Sequence, residues 1–553
     1  MAWAATDKVV LGCVAFLVWW VLAVFPAVPF LPIGRTAGSL LGAVLMVVFQ
    51  VISTNDAFAA VDLQILGLLF GTMVVSIYLE RADLFKYLGK ALSWRSWGGK
   101  DLLCRLCLLS AISSALFTND TTCVILTEFV LKLCREKKLP PQPFLIALAC
   151  SANIGSATTP IGNPQNLVIA VQSKIGFGSF LVGILPAVVV GLVVNTLGLL
   201  LLYWRRLSNS AVEDEREAKD EPSVNAAGGN QREQPEPPNV GSFSEDVELP
   251  RMLEKKRGEI DRRNSDSLVV ELANYYRTGR GGVEVQQDSG LSPVRGSVLS
   301  DVLGLEPRVS SSPYPHSHQQ TRSNEGGILN QSVTDALPSN APQSAVIRLQ
   351  RRRRIWKVCV YLVTVGMLGA LLAGLNLPWT AITAAVTLMV LDFSDAGPCL
   401  DQVSYSLLVF FAGMFITVAG FNATGAPGQL WSAVEAHAHI NSASGLSILA
   451  IVVTVLSNVA SNVPTVLLLG PRVAASAAAT PGASVNKAWL ILAWVSTVAG
   501  NLTLVGSAAN LIVSEQARRS PLLSYKLSFW NHLRFGVPST LIVIAVGLPL
   551  IRG

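Results

Sequence analysis

The sequence predicts an all-α polytopic membrane protein, an inverted repeat of about five crossings per half, each with a re-entrant hairpin and a broken helix. Three observations predict it. Of the 553 residues, 51% are hydrophobic and only 14% charged, against roughly 25% charged in soluble domains. The charges crowd into one central stretch, about Ser208 to Arg354, and leave the flanks nearly all apolar. Two polar interruptions in the first apolar half recur in the second, in the same order and at nearly the same offset.

Each apolar run near 20 residues is long enough to span a bilayer as a helix, and lipid offers backbone groups no partner outside a helix or closed barrel. In the first half the runs are Val9–Leu31, Thr36–Ile52 and Leu63–Leu79, then a basic amphipathic stretch, Ala82–Trp97. The opening run lacks an A-x-A-like cleavage site and is expected to be a retained helix. Leu102–Phe117 and Cys123–Leu133 follow, parted by Thr118-Asn119-Asp120-Thr121-Thr122. Phe144–Val171 has a Gly/Thr/Pro/Asn-rich centre, and Phe180–Trp204 closes the half. The second half offers Ile355–Leu375, Trp379–Leu391 and Ser404–Gly420. Ser447–Ala460 and Val466–Leu469 then flank Ser461-Asn462-Val463-Pro464-Thr465. Ala488–Val513, broken at Gly500–Ser507, and Val537–Leu550 complete it.

SALFTNDTTCVIL (Ser114–Leu126) aligns with SNVASNVPTVLLL (Ser457–Leu469), and TTPIGNPQNLVI (Thr158–Ile169) with LTLVGSAANLIV (Leu502–Val513). Two matches in register argue for an internal duplication. Lys and Arg in short loops set orientation. One face collects Arg35, Arg81 to Lys100, Arg135 to Lys138, Arg205 and Arg206, Arg351 to Lys357, and Arg518 to Arg534. The other holds Lys8, Lys174, Arg472, Lys487 and Arg552. The partition works if the segments at Asn119 and Asn462 are hairpins that leave on the side they enter. Each half then crosses an odd number of times, the halves are inverted, both termini lie outside and the central loop is cytosolic. Asn422-Ala423-Thr424 becomes an outer-side glycosylation sequon. The expected units are a first membrane repeat 1–207, a cytosolic loop 208–350 and a second repeat 351–553.

The loop is rich in Glu, Arg, Ser, Pro, Gly and Gln, lacks apolar periodicity and is expected to be mostly disordered. It reads as a tether, with regulation through patches such as Ser310–Pro313 as the alternative. His316 and His318 make a poor metal site, and no metal or cofactor is expected. The net charge of +6 reads as membrane orientation and not nucleic-acid binding. The eight cysteines sit in or beside apolar runs without a disulfide pattern. Cys104 and Cys107 read as packing residues, with a soft-metalloid thiol site as the alternative.

Broken backbone at membrane depth persists only where protein or a water-filled cavity surrounds it. Its free N–H and C=O groups and half-helix dipoles then bind a polar solute or ion. Amides come from Asn119, Asn163, Asn166, Asn462, Asn501 and Asn510. Hydroxyls come from Thr118, Thr121, Thr158, Thr159, Ser461, Thr465, Thr503 and Ser507. Gly155, Gly162, Gly500 and Gly506 permit close backbone approach. For any one hydroxyl, ordinary helix–helix bonding is the competing reading. Asp120, opposite the apolar Val463 in the alignment, is the carboxylate on a broken element and the candidate proton carrier. Burial disfavours its charged form; adjacent hydroxyls and helix N-termini favour it, and the balance stays open. The competing reading is a cap on the descending hairpin arm. Glu128 and Lys132 are expected to pair along that arm. Asp62, Glu80, Asp392 and Asp401 read as interfacial. No G-x-x-x-x-G-K-[ST], H-E-x-x-H or G-x-S-x-G is present, so ATP-driven pumping and the common hydrolase chemistries find no motif. The pattern points to a secondary, ion-coupled transporter and not an enzyme; paired hairpins suit alternating access better than a fixed channel filter.

F-T-N-D-T-T (Phe117–Thr122), A-T-T-P-I-G-N-P-Q-N (Ala157–Asn166) and S-N-V-P-T (Ser461–Thr465) resemble the arsenite-permease and sodium/proton-antiporter branch of the ion transporter superfamily. More narrowly, Val21–Leu41, DLLCR (Asp101–Arg105), Pro143–Ala170 and GILPA (Gly183–Ala187) resemble plant silicon efflux transporters of the low-silicon type. The resemblance covers both membrane halves but not the loop. It implies a plasma-membrane carrier that exports silicic acid, with arsenous acid as a second solute, in exchange for protons. A sodium/proton antiporter of the same fold is the alternative. The partners implied are the lipid bilayer, a small neutral hydroxide and protons; a homodimer stays open.

Overall fold

The computed structural model describes residues 5–24, 33–94, 98–220, 343–392 and 395–553. The helices form one compact unit drawn from both ends of the chain. A second unit, Ser223–Asn330, lies outside the described residues, as do Ser310–Pro313, His316, His318 and the expected disorder around them. No strand occurs among the described residues.

The first half comprises α1 (Thr6–Val24), α2 (Gly34–Val48), α3 (Thr54–Ala59), α4 (Leu63–Arg81) and α5 (Leu84–Ser93). It continues with α6 (Gly99–Leu116), α7 (Asn119–Glu136), α8 (Pro141–Ser156), α9 (Pro164–Ser173) and α10 (Phe177–Asp220). The second half comprises α11 (Gln343–Leu372), α12 (Leu377–Leu391), α13 (Gly397–Leu400), α14 (Tyr405–Ala423) and α15 (Ala426–Glu435). It ends with α16 (Ala443–Ala460), α17 (Asn462–Ala479), α18 (Val485–Ala499), α19 (Ala508–Arg519) and α20 (Phe529–Gly547).

Seven stretches of described residues are long and apolar enough to cross a membrane: Thr6–Ala23, Thr54–Arg81, Phe177–Ser208, Gln350–Leu372, Tyr405–Ala423, Ala443–Ala460 and Phe529–Leu550. Gly34–Val48, Leu377–Leu391 and Val485–Ala499 are shorter apolar helices. Side chains such as Leu201, Val365 and Trp379 stand exposed on the outer faces. In water that apolar belt would be costly; in lipid it is the required surface. The chain is an all-α polytopic membrane protein.

Several elements depart from the sequence reading, each for a local reason. The second hairpin arm, expected over Val466–Leu469, runs from Asn462 to Ala479. The Ala-rich tail beyond Pro471 is a strong helix former and carries the helix past the proline. α10 continues to Asp220 and α11 begins at Gln343, beyond the expected unit boundaries at Leu207 and Arg351. α3, α13 and α15 are short and weakly apolar, so no run announces them. Lys132 lies 3.9 Å from Glu136, and that pair replaces the expected one with Glu128.

Packing places the broken elements at the centre. α6 lies against α8, where a Cβ on Gly155 would stand 2.2 Å from the Ala111 Cα. α16 lies against α18. The second segment of each broken helix crosses to the opposite half: α19 packs on α7, and α9 packs on α17.

Candidate functional site

Each hairpin turns at a non-glycine residue with positive φ: Thr118 at 135° and Ser461 at 75°. These are the aligned positions, and that region of backbone space is costly for a residue with a Cβ. Thr118 Oγ1 caps α7 by accepting from the Thr121 N–H at 3.2 Å, and it donates to Thr121 Oγ1 at 3.0 Å. The capping role weighed for Asp120 therefore belongs to Thr118, with Asp120 in the first turn behind it.

The breaks after α8 and α18 are held by one device. Asn166 Nδ2 donates to the carbonyls of Ser156 and Thr159 at 3.1 and 3.3 Å. Its aligned twin Asn510 donates to the carbonyls of Gly500 and Thr503 at 2.8 and 3.0 Å. Both amides satisfy carbonyls that the helix end leaves orphaned. Asn163 caps α9 through the Asn166 N–H at 2.8 Å, and Ser507 caps α19 through the Ala509 N–H at 3.2 Å.

The two breaks are stitched to each other by reciprocal bonds. Asn163 Nδ2 donates to Thr497 Oγ1 at 3.3 Å, and Ser507 Oγ donates to Asn153 Oδ1 at 3.0 Å. Thr497 Oγ1 lies 3.3 Å from Asn166 Oδ1, and Asn153 Nδ2 donates to Asn510 Oδ1 at 3.1 Å. Asn153 adds a 2.8 Å bond to Asn501 Oδ1 and accepts from Asn119 Nδ2 at 2.9 Å. One fully buried amide thus joins the first hairpin, the first broken helix and the second.

A cavity of about 140 Å³ opens beside this frame. A buried water needs only about 10–15 Å³ of such space, so a solute with several oxygens fits. Residues from the first turns of α7, α9, α17 and α19 line it, so four helix N-termini converge there. Their N–H groups and partial positive charge favour oxygen acceptors. Arg35 and Asp120 are the charged residues of the lining. Asp120 Oδ1, Asn462 Oδ1 and Ser457 Oγ, all on lining residues, are buried without a hydrogen-bond partner.

Of the residues named from sequence, Asn119, Asp120, Ser461, Asn462, Gly506 and Ser507 line the cavity. Asn163, Asn166, Asn501, Thr503 and Asn510 belong to the frame around it. Thr158, Thr159 and Thr465 donate to backbone carbonyls, and Thr121 accepts from Thr118. Gly155 and Gly162 serve close packing: a Cβ on Gly162 would stand 2.2 Å from the Ser156 carbonyl oxygen. A Cβ on Gly500 would stand 3.0 Å from the Ser507 Cβ. Sequence reasoning passed over Asn153, Gln165, Asn458 and Ser457. It counted Arg35 among loop cations. The aligned pairs Asn153/Thr497 and Asn163/Ser507 were the available signal. No group of three or more His, Cys, Asp or Glu suited to a metal occurs among the described residues.

Comparison with known proteins agrees with this architecture. Residues 16–499 match the CitMHS family model, described as citrate transporter. The chain is 49% identical to the silicon efflux transporter LSI3 of Oryza sativa subsp. japonica, over 100% of this chain and 99% of that protein. It is 30% identical to the candidate transporter arsB of Dictyostelium discoideum, over 94% of this chain and 88% of that one. A 46 kDa membrane protein of Mycobacterium leprae is 25% identical over 93% and 92% of the two chains. The chain therefore belongs to the CitMHS family of membrane transporters, in the group of the rice silicon efflux transporter, and is not an enzyme.

Proposed function

We propose that this transporter exports silicic acid from the cytosol across the plasma membrane in exchange for protons, with arsenous acid as a second solute. The observation that carries the reading is the cavity's charge balance. One carboxylate, Asp120, is matched by one guanidinium, Arg35, and the remaining polar lining is amide, hydroxyl, the Trp19 indole N–H and backbone. Silicic and arsenous acids are small neutral hydroxides near pH 7, able to donate to unpartnered oxygens and accept from helix N–H groups. A tricarboxylate would bring several negative charges to a single guanidinium already balanced by Asp120. In this reading the hairpins are re-entrant, the halves (1–207 and 351–553) are inverted, and the loop 208–350 is cytosolic. Asp120 carries the proton, while the Asn, Thr, Ser and Gly residues named above bind the solute or hold the breaks.

Oocytes expressing the chain and preloaded with silicic acid test it. Efflux above uninjected controls, faster when the outside is acidified, is expected. Arsenite should compete and citrate should not. Absence of silicic acid efflux from cells with surface expression would sink the proposal, as would exchange of citrate.

A further inference from the structure

We propose that Arg35 is a specificity residue that excludes monovalent cations from the cavity, so that the transporter handles a neutral solute and not sodium. The inference rests on the assignment of this cavity as the solute site and adds what it rejects.

The need for such a residue is visible in the lining. Asp120 Oδ1, Asn462 Oδ1 and Ser457 Oγ are buried oxygens without partners. A carboxylate, an amide oxygen and a hydroxyl are also what a hard monovalent cation takes as ligands. By oxygen chemistry alone the site suits a cation as well as a polyhydroxy solute. Charge separates the two. With Asp120 ionised, the Arg35 guanidinium brings the lining side chains to zero net charge; with Asp120 protonated they carry one positive charge. In neither state are they net negative. The N-termini of α7, α9, α17 and α19 add partial positive charge. Partly buried charges such as these act through a lower effective dielectric than bulk water and are screened less than exposed ones. A desolvated cation therefore meets net repulsion in both protonation states, while a neutral hydroxide does not.

Among the described residues, the lining supplies no second acid. Cys123 of α7 is the titratable neighbour of Asp120 on its own helix, and Cys150 lies behind it on α8. From α8 and α19, both packed on α7, Asn153 and Ser507 reach the tip as neutral groups. Glu515, further along α19, is bound to Arg518 and Arg519.

The test uses the full chain in proteoliposomes, with radioactive sodium and silicic acid followed in parallel. Wild-type protein is expected to move silicic acid while sodium flux stays at the level of empty vesicles. Arg35→Gln should raise sodium flux about tenfold or more; Arg35→Lys, which keeps the charge, should not. The proposal falls if Arg35→Gln carries silicic acid with sodium flux still at baseline, or if sodium competes with silicic acid in the wild type. If Arg35→Gln does not survive extraction, Arg35→Met, neutral and of similar length, takes its place with the same expected rise in sodium flux. Should the wild type move no silicic acid, the functional assignment fails, and sodium flux alone reports whether cations are excluded.

Discussion

Asn153 Nδ2 donates to Asn510 Oδ1 at 3.1 Å, a bond between broken helices whose residues lie 357 positions apart. Around it the Asn153 side chain uses donor and acceptor together, on Asn119, Asn501, Asn510 and Ser507. Asn153→Ala would strand several buried polar groups, each costing about 1–3 kcal/mol when unsatisfied. The expected outcome is a large fall in the melting temperature of the detergent-extracted protein together with loss of transport. Asn153→Asp, which keeps shape but not donors, should be no better. A melting temperature equal to wild type in either variant would remove Asn153 from the centre of the frame.

The aligned hairpin asparagines should respond differently. Asn119 Nδ2 is bonded to Asn153, whereas Asn462 Oδ1 has no partner and sits on the cavity. Asn119→Ala is expected to lower both thermal stability, by about 1–2 kcal/mol, and transport. Asn462→Ala should cut transport at least as much with little change in stability. Measuring melting temperature beside efflux separates them; equal destabilisation would mean that Asn462 is framework too.

Much of this was legible because polar residues are conspicuous in apolar runs. Asn119 and Asn462 announce themselves at breaks between two helices, and Asn166 and Asn510 follow from the repeated N-L motifs. Asn153 was legible only through its alignment with Thr497: it lies in the helical stretch before the break, where one amide reads as ordinary interhelical bonding. Arg35 was hidden for another reason. It stands at the start of α2, where a cation looks like a loop charge, and only the approach of α7, α14 and α17 makes it part of the lining. Sequence periodicity reports a helix's own face, not which distant helix covers it.

Just beyond the end of α4, Asp83 ties that helix to Arg353 and Lys357, near the start of the Gln350–Leu372 stretch of α11. Lys86 lies 2.7 Å from it, Arg353 3.3 Å, and Lys357 is hydrogen-bonded to the same carboxylate. Partial burial pushes its pKa up, but Lys357 and Lys86 outweigh that and hold it below the usual carboxylate value. A depressed folded-state pKa means stability present above the unfolded value and lost as pH falls through the folded one. Asp83→Asn should therefore destabilise the protein at neutral pH, and its deficit against wild type should shrink on acidification. Melting curves across pH check this; a deficit that does not change with pH would assign Asp83 a packing role alone.

Topology offers an independent check on the inverted arrangement. With the central loop cytosolic and both termini external, a protease added to intact cells should leave the loop uncut, and added to opened cells should cleave it. A membrane-impermeant thiol reagent should reach a cysteine introduced near Lys8 from outside. Cleavage of the loop in intact cells would overturn the orientation; a loop and a terminus reached from the same side would overturn the inversion, since an odd number of crossings per half would no longer hold.

Asp120 carries the coupling prediction. An exchanger needs a group that takes a proton on one side and releases it on the other, and Asp120 is the carboxylate among the residues that line the cavity. Because Thr118 supplies the α7 cap, replacing Asp120 need not unravel the hairpin. Asp120→Asn keeps the shape and cannot titrate. Its efflux should lose the acceleration that external acid gives the wild type, while exchange of labelled for unlabelled silicic acid at equal pH continues. Asp120→Glu, which keeps a titrating carboxyl on a longer arm, should retain a pH response at a reduced rate. The side of the membrane matters for the sign: inward proton movement drives outward solute, so acidification must be external to accelerate export. If Asp120→Asn still follows the pH gradient as wild type does, the proton travels on another group and the carboxylate serves only to balance Arg35.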